Sequence, residues 1–442
     1  MELRDETYES RHGADEAMEA PAAQLRVPET PDPQAPPEAP RAFSALRHRN
    51  FRVFYVGHVL SLTGTWMQTT AQGWLVLELT NSEFKLGLVT AVASLPTLFL
   101  GLYAGVVADR RDKRGIILTA QCVMLACALA IAILTGLHAI TYPVLLGLVF
   151  VLGTASAFEI PTRQSFFAEL VGKEDLANAI ALNSAAFNGS RIVGPAVAGA
   201  LIGGAGIAAC FYANAFSYVA VIAGLMMLRL PSFIPDPATG DASVMEHLRE
   251  GLAYIRSDRV VRTLVWMIAA MSVTVFPYSM LLPVFARDVL HVGPRGLGML
   301  LSAAGAGALV AGVLLAAGKL VMHRGRMIVG ACFAFVTLLI GFALSPWYPL
   351  SLLLLAAASF MVILNNATLN ALLQARVPDG LRGRVMSVYV FMFVGMTPLG
   401  SLQAGALARW INAPAALAIG CVAMLLIMGV VLVKVPELLQ AE

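Results

Sequence analysis

Charge is what this chain has least of. Of its 442 residues only 13% are Asp, Glu, Lys or Arg, while 58% are hydrophobic and the mean hydropathy is +0.75. Soluble domains carry about a quarter charged residues, so a soluble fold built from this chain could not keep a wettable exterior. The solvent for most of it must be lipid. That excludes a secreted globular enzyme, a disulfide scaffold and a wholly disordered chain. Cysteine is scarce too: Cys122, Cys127, Cys210, Cys332 and Cys421 are odd in number and lie inside apolar runs. Cys122 and Cys127 are five apart and do not stack on one helix face. No His or acidic cluster completes a metal site, so the cysteines read as small apolar residues. Also missing are a glycine loop followed by Lys and Ser/Thr, and any nucleophile with a base at motif spacing. Hence no nucleotide drives the protein directly, no bond-making chemistry is expected, and no cofactor. Energy must come from an ion gradient or from the substrate's own gradient.

What charge there is lies unevenly. Residues 1–40 hold ten acidic and three basic residues, net −7, with seven prolines. Such a stretch cannot offset its ordering entropy by burial, so residues 1–45 read as a disordered acidic cytoplasmic tail. Without a basic start, an apolar stretch or a cleavage site, it is no signal peptide. Residues 41–442 carry 27 basic and 17 acidic residues, net +10. The bases sit in short loops between apolar runs, which is a membrane-orientation pattern, not a nucleic-acid surface.

Twelve apolar runs reach the ~20 residues that cross a bilayer: about 53–77, 86–107, 116–137, 142–162, 177–202, 208–228, 263–285, 296–318, 327–344, 350–374, 385–408 and 414–433. Helices satisfy their own backbone in lipid, and the runs are too long for barrel strands. With both termini cytoplasmic, inner loops and flanks hold 22 basic residues against four outside, namely Lys85, Arg287, Arg295 and Arg409. The expectation is an all-α, multi-pass protein of the cell (inner) membrane. It divides into six-helix bundles over 46–230 and 261–435, a cytoplasmic linker over 231–260 and a short cytoplasmic end at 436–442. In the linker, Met245, Leu248, Leu252 and Ile255 form an apolar stripe that predicts a helix lying along the membrane face. A faint repeat, Ala198–Leu201 against Ala404–Leu407, adds to the 6+6 pattern and favours a parallel duplication.

The loop after the second run reads Gly105-Val-Val-Ala-Asp109-Arg110-Arg111-Asp112-Lys113-Arg114. A glycine permits close helix approach. An acid at a helix end can cap a neighbouring N-terminus, and bases can pair with an inner-face acid. The plainer reading is an orientation anchor. The segment resembles the loop 2–3 motif of the major facilitator superfamily. Phe158-Glu-Ile-Pro-Thr-Arg-Gln164, Glu169-Leu-Val, Leu176 to Asn183 and Arg191-Ile-Val-Gly-Pro195 are similar to its branch of enterobactin exporters, macrolide efflux proteins and transmembrane secretion effectors. So are Leu46 to Arg52 and Gly64-Thr-Trp66-Met-Gln68. The likeness runs from residue 46 to about 435 and is looser in the second half, where Gly318-Lys319 to Arg326 has lost its acid. It implies the major facilitator fold, with twelve helices in two bundles.

Helix 5 carries Gly189, Gly194, Pro195 and Gly199, a variant of the superfamily's antiporter motif with one glycine where the pattern has two. Interhelical packing explains it equally well. Glu159 and Arg191 are the costly residues, since a charge in the membrane costs ~2.5–3.5 kcal/mol or more unless paired or hydrated. Glu159 can reach Arg163 one turn on, or Arg191, or the loop bases. Such a pair is either a static lock between helices or a gate and protonation site. On helix 1, His58, Ser61, Thr65, Gln68 and Gln72 share one face, which is unfavourable against lipid and so faces protein or a hydrated cavity. The resemblance implies that helices 1, 4, 7 and 10 line that cavity, to which Ser156, Met271, Thr274, Tyr278, Ser359, Asn366 and Asn370 would then contribute. The expected function is a monomeric secondary transporter exporting a small amphipathic molecule (a siderophore, drug or metabolite) by alternating access, in exchange for protons. The alternative is a non-transporting scaffold or sensing partner on the same fold.

Overall fold

The structure is a computed structural model describing residues 43–229, 244–318 and 323–440. The acidic tail up to residue 42, linker residues 231–243 and Lys319 lie outside the described residues. Every regular element among the described residues is helical. The first half holds α1 (Arg49–Thr80), α2 (Glu83–Arg110), α3 (Lys113–Gly136), α4 (Tyr142–Val171), α5 (Leu176–Ala205) and α6 (Ile207–Met226). The second holds α7 (Val244–Ser257), α8 (Arg259–Thr274), α9 (Tyr278–Val284), α10 (Gly293–Ala316), α11 (Arg324–Leu344), α12 (Tyr348–Arg376), α13 (Asp379–Gly395), α14 (Thr397–Trp410) and α15 (Ala413–Lys434).

Ten segments are long and apolar enough to cross a membrane, counting α8 to Val289 and α13 with α14 as one segment each. The two remaining long helices are α1, with 32 residues, and α5, with 30. Both have the length and lack the hydropathy, because they carry the polar and charged positions singled out in the sequence. Segments seven and eleven are broken. Pro277 and Pro398 have no amide to donate, and their rings displace the carbonyl one turn back. The chain accordingly leaves helical geometry at 275–277 and restarts at Thr397.

We name the ends of the bundle by their charge. At the basic end lie the α2–α3 and α4–α5 corners, the α8 start and the α12–α13 corner; at the far end lie the α1–α2 corner and the starts of α10 and α12. At the basic end Asp258 caps α8, accepting from Val260 N at 2.8 Å and Val261 N at 3.0 Å, and it pairs with Arg376 at 3.0 Å. Partial burial pushes its carboxyl up, but the α8 amides and Arg376 outweigh that and hold it below the usual carboxylate range. The described part of the α7 stripe meets protein. Ile255 is buried, Glu250 pairs with Arg384, and Tyr254 donates to Arg376 O at 3.4 Å, so its described apolar residues pack on α13 and the end of α12. The Met245 and Leu248 side chains lie outside the described residues.

Candidate functional site

Glu159 is buried in α4 and resolves its charge locally. Arg163 Nε donates to its Oε1 at 2.7 Å across one helical turn. Arg163 also reaches out of α4: Nη1 lies 3.0 Å from His58 Nε2 on α1 and 3.4 Å from Asn183 Oδ1 on α5. Three helices thus converge on one guanidinium. Because a guanidinium cannot accept, His58 Nε2 must be the acceptor in this arrangement and must carry no proton. Yet Nε2 also lies 2.9 Å from Asn183 Oδ1. A protonated Nε2 would donate there and expel Arg163. The two arrangements exclude each other, so the position of Arg163 depends on which His58 ring nitrogen carries a proton. Phe54 stacks on the ring at 5.7 Å and Phe167 meets it edge-on at 6.1 Å, which covers the imidazole on two sides.

A cavity of about 320 Å3 lies further toward the far end, walled by both halves. Thr65, Gln68 and Gln72 of α1 and Ser156 of α4 line it, together with Tyr218 of α6 and Ser279 near the α9 start. The α1 stripe is therefore divided. Its first two members, His58 and Ser61, are buried within the first half, and its last three face the cavity. Gln68 is fixed by Asn214 of α6, whose Nδ2 donates to Gln68 Oε1 at 2.7 Å, and Ser217 bonds the same amide at 2.8 Å. Gly64 lets that cluster approach, because a Cβ there would fall 2.6 Å from Ser217 Oγ. Asn183, Asn214 and Tyr218 were not singled out in the sequence. The available signal was Asn214, an amide alone in an apolar run and therefore in need of a partner.

The second half does not present the expected residues to this cavity. Met271, Tyr278 and Ser359 are buried in the core of that half, with Tyr278 Oη 3.4 Å from Ser359 Oγ and its ring 6.1 Å from Phe335. The Thr274 hydroxyl turns back to Ala270 O at 2.8 Å. Asn370 accepts from Gln374, and buried Oδ1 of Asn366 has no partner among the described residues. Ser279, Met280, Pro283 and Leu301 take the wall instead. Arg191 does not approach Glu159; its guanidinium stands 5.8 Å from the Trp66 ring centre. Gly105 and Gly189 face open space, so neither serves a close helix approach in this conformation. Gly194 does, since a Cβ there would meet Thr63 O at 2.8 Å, and neighbouring Pro195 is buried with it. Arg114 donates to Met226 O at 3.3 Å, at the α6 C-terminus where a cation is favoured. Arg110 is exposed, and the Asp109 side chain lies outside the described residues.

The halves meet along two seams of small residues. On one, a Cβ at Gly199 of α5 would lie 2.7 Å from Pro294 O and 3.2 Å from Gly298 Cα of α10. On the other, a Cβ at Gly405 of α14 would lie 2.7 Å from Glu83 O and 3.3 Å from Gly87 Cα of α2. Polar latches close the far end: Arg287 donates to Leu77 O at 3.1 Å and to Asn81 Oδ1 at 2.6 Å, and Arg409 to Ser82 Oγ at 3.1 Å. At the basic end the pairs Lys113–Glu169, His48–Asp175, Asp258–Arg376 and Glu250–Arg384 each stay within one half. Removing the Arg287 guanidinium should cost the far-end closure about 1.5–3 kcal/mol, the worth of a charged hydrogen bond. In Arg287→Ala a cysteine at position 72 should react faster with an impermeant thiol reagent added from the far side. An unchanged rate would show that the latch bears no load.

Residues 40–442 match the family model described as transmembrane secretion effector. The staphyloferrin A transporter of Staphylococcus aureus is 26% identical over 355 residues, covering 79% of this chain and 87% of its own. The multidrug efflux pump Tap of Mycolicibacterium fortuitum is 27% identical over 390 residues, covering 86% and 94%. Among solved structures, a bacterial homologue of the iron transporter ferroportin in an inward-facing state superposes with a TM-score of 0.66 at 16% identity, covering 87% of this chain and 98% of that one. These relatives are transporters and not enzymes. With its membrane-spanning helices and this match over all the described residues, the chain belongs to the transmembrane secretion effector family of the major facilitator superfamily.

Proposed function

We propose that the protein exports a small amphipathic molecule by alternating access, in exchange for protons, from a bacterial inner membrane with its basic end in the cytoplasm. The observation that carries this reading is the cavity walled by both halves beneath a far end closed by small-residue seams and arginine latches. Rocking the halves about that cavity would part the seams and bring the basic ends together. Amides and hydroxyls from Gln68, Gln72, Thr65 and Ser156 beside apolar Leu86, Val89 and Leu301 suit a ligand that is part polar and part apolar. The likeness to the multidrug efflux pump Tap supports export, and the likeness to the staphyloferrin A transporter supports a small-molecule substrate. On this reading α1 and α5 complete twelve spans in two six-helix bundles, and the protein acts as a monomer.

The Glu159–Arg163–His58 cluster is the proposed coupling site. The Glu159 carboxylate holds Arg163 in place, and a proton arriving at either Glu159 or His58 would release the guanidinium from one partner. Proteoliposomes loaded with an amphipathic fluorescent drug test this. Glu159→Gln, if folded, should lose concentrative export driven by a pH gradient while still exchanging drug down its own gradient. A variant that still concentrates drug would remove Glu159 from coupling, and indifference of the unmodified protein to the pH gradient would remove proton exchange altogether.

A further inference from the structure

A second hollow, larger than the central cavity and sharing no residue with it, opens on the outside of the first half. It measures about 690 Å3 and runs between the end of α2, the start of α3 and the middle of α4. Its walls include Val107, Ile116, Val123, Phe150, Val151 and Phe158. The groove exists because α3 packs on α4 and α6 and α2 packs on α4, while α2 and α3 diverge after their shared corner. The two threonines in the wall make no demand for a polar occupant: Thr119 donates to Gly115 O and Thr154 to Phe150 O, each at 2.9 Å on its own helix. Water would find no partners there. Phe150 and Val151 remain 49% and 41% exposed, so something apolar must cover them.

Depth and charge say what. From Gly115 to Val123 is eight residues, or about 12 Å at 1.5 Å per residue. That is close to the half-thickness of a hydrocarbon core of about 30 Å, so the groove starts at the basic surface and ends near the midplane. Its mouth is charged. Lys113 is taken by Glu169 and Arg114 by Met226 O. The Asp112 carboxylate is turned into the α3 N-terminus, accepting from Arg114 N at 3.2 Å and Gly115 N at 3.0 Å. Arg111 lines the mouth, is exposed, and has no ion-pair partner among the described residues. An apolar slot one leaflet deep, ending at the exposed Arg111 guanidinium, matches a molecule with an acyl chain joined to an anionic head.

We propose that this groove is a binding site for an anionic phospholipid of the leaflet at the basic end, with one acyl chain between α3 and α4 and its phosphate on Arg111. The site does not depend on the transport reading; it needs only that the chain crosses a bilayer. The test is native mass spectrometry of the delipidated full-length protein in detergent, titrated with phosphatidylglycerol or with phosphatidylcholine of the same acyl chains. The first-bound lipid should prefer phosphatidylglycerol by about fivefold, the worth of one basic residue near a lipid surface. Arg111→Gln should abolish that preference while leaving phosphatidylcholine binding in place. Thr154→Trp, which fills the groove and leaves every charge intact, should lower the binding of both lipids. Should Thr154→Trp fail to fold, Val123→Trp fills the same groove from α3. Equal affinity for the two lipids, or a preference that survives Arg111→Gln, overturns the proposal. So does displacement of phosphatidylglycerol by inorganic phosphate alone, which would mark a simple anion site without a chain.

Discussion

Replacing Arg163 by Leu should cost the first half about 3–5 kcal/mol, the penalty for leaving one partner of a buried ion pair uncompensated. Glu159 is only 6% exposed, and among the described residues its one ion-pair partner is Arg163, with Arg191 held at Trp66 and Lys113 at Glu169. The loss also withdraws the donor from His58 Nε2. The double variant Glu159→Gln/Arg163→Gln removes both charges together and should lose much less, because amides can bond to each other and to Asn183. Equilibrium unfolding in mixed micelles, followed through tryptophan fluorescence, gives the comparison. Equal losses in the single and double variants would mean that Arg163 contributes by packing alone, and the coupling proposal would lose its structural basis.

The second large effect is expected at the seams. Gly405→Leu places a branched side chain where even a Cβ meets Glu83 O at 2.7 Å and Phe84 Cα at 3.2 Å. The opposing atoms are backbone, which cannot swing aside. Overpacking of this kind costs about 1–3 kcal/mol, a shift of roughly 5- to 150-fold in the balance between far-end-closed and far-end-open forms. Gly298→Leu on the other seam should act in the same direction. Neither touches the cavity, so substrate affinity within one conformation should be unchanged while turnover falls. Spin-label distances across the far end measure the populations. If both variants keep the closed distance at its original population, the seams are not what holds that end shut.

Much of this was legible in the sequence, and the rest failed for identifiable reasons. Composition alone fixes lipid as the solvent, and periodic apolar runs locate the helices. Glu159 and Arg163 are readable as a pair because i and i+4 share a helix face. What a helical stripe does not reveal is the azimuth of a neighbour. His58 and Gln68 look equivalent on α1, yet one meets α4 and α5 and the other meets α6, so the stripe serves two sites. In segment seven the misreading has a mechanical cause. Taking Met271, Thr274 and Tyr278 together as cavity residues presumes a continuous helix. The break at 275–277 resets the phase, so that Met280 and Pro283 reach the cavity while Tyr278 turns into the core. Gly105 and Gly194 could not be told apart by residue type, because a glycine's use depends on the backbone opposite it, which only the fold supplies.

Alternating access is tested most directly by measuring both ends of the molecule at once. Cys122 is the exposed native thiol and the other four are buried, so Cys122→Ser supplies a background. One spin-label pair at the exposed positions Lys173 and Gly380 spans the basic end, and a second at Thr141 and Trp347 spans the far end. Distances are recorded in liposomes with and without an imposed pH gradient and with and without an exported drug. Two populations should appear at each end and exchange in opposite senses, so that the basic-end distance shortens as the far-end distance lengthens. A single fixed distance at both ends under conditions in which the same vesicles transport drug, or changes of the same sign at both ends, would contradict alternating access in this protein.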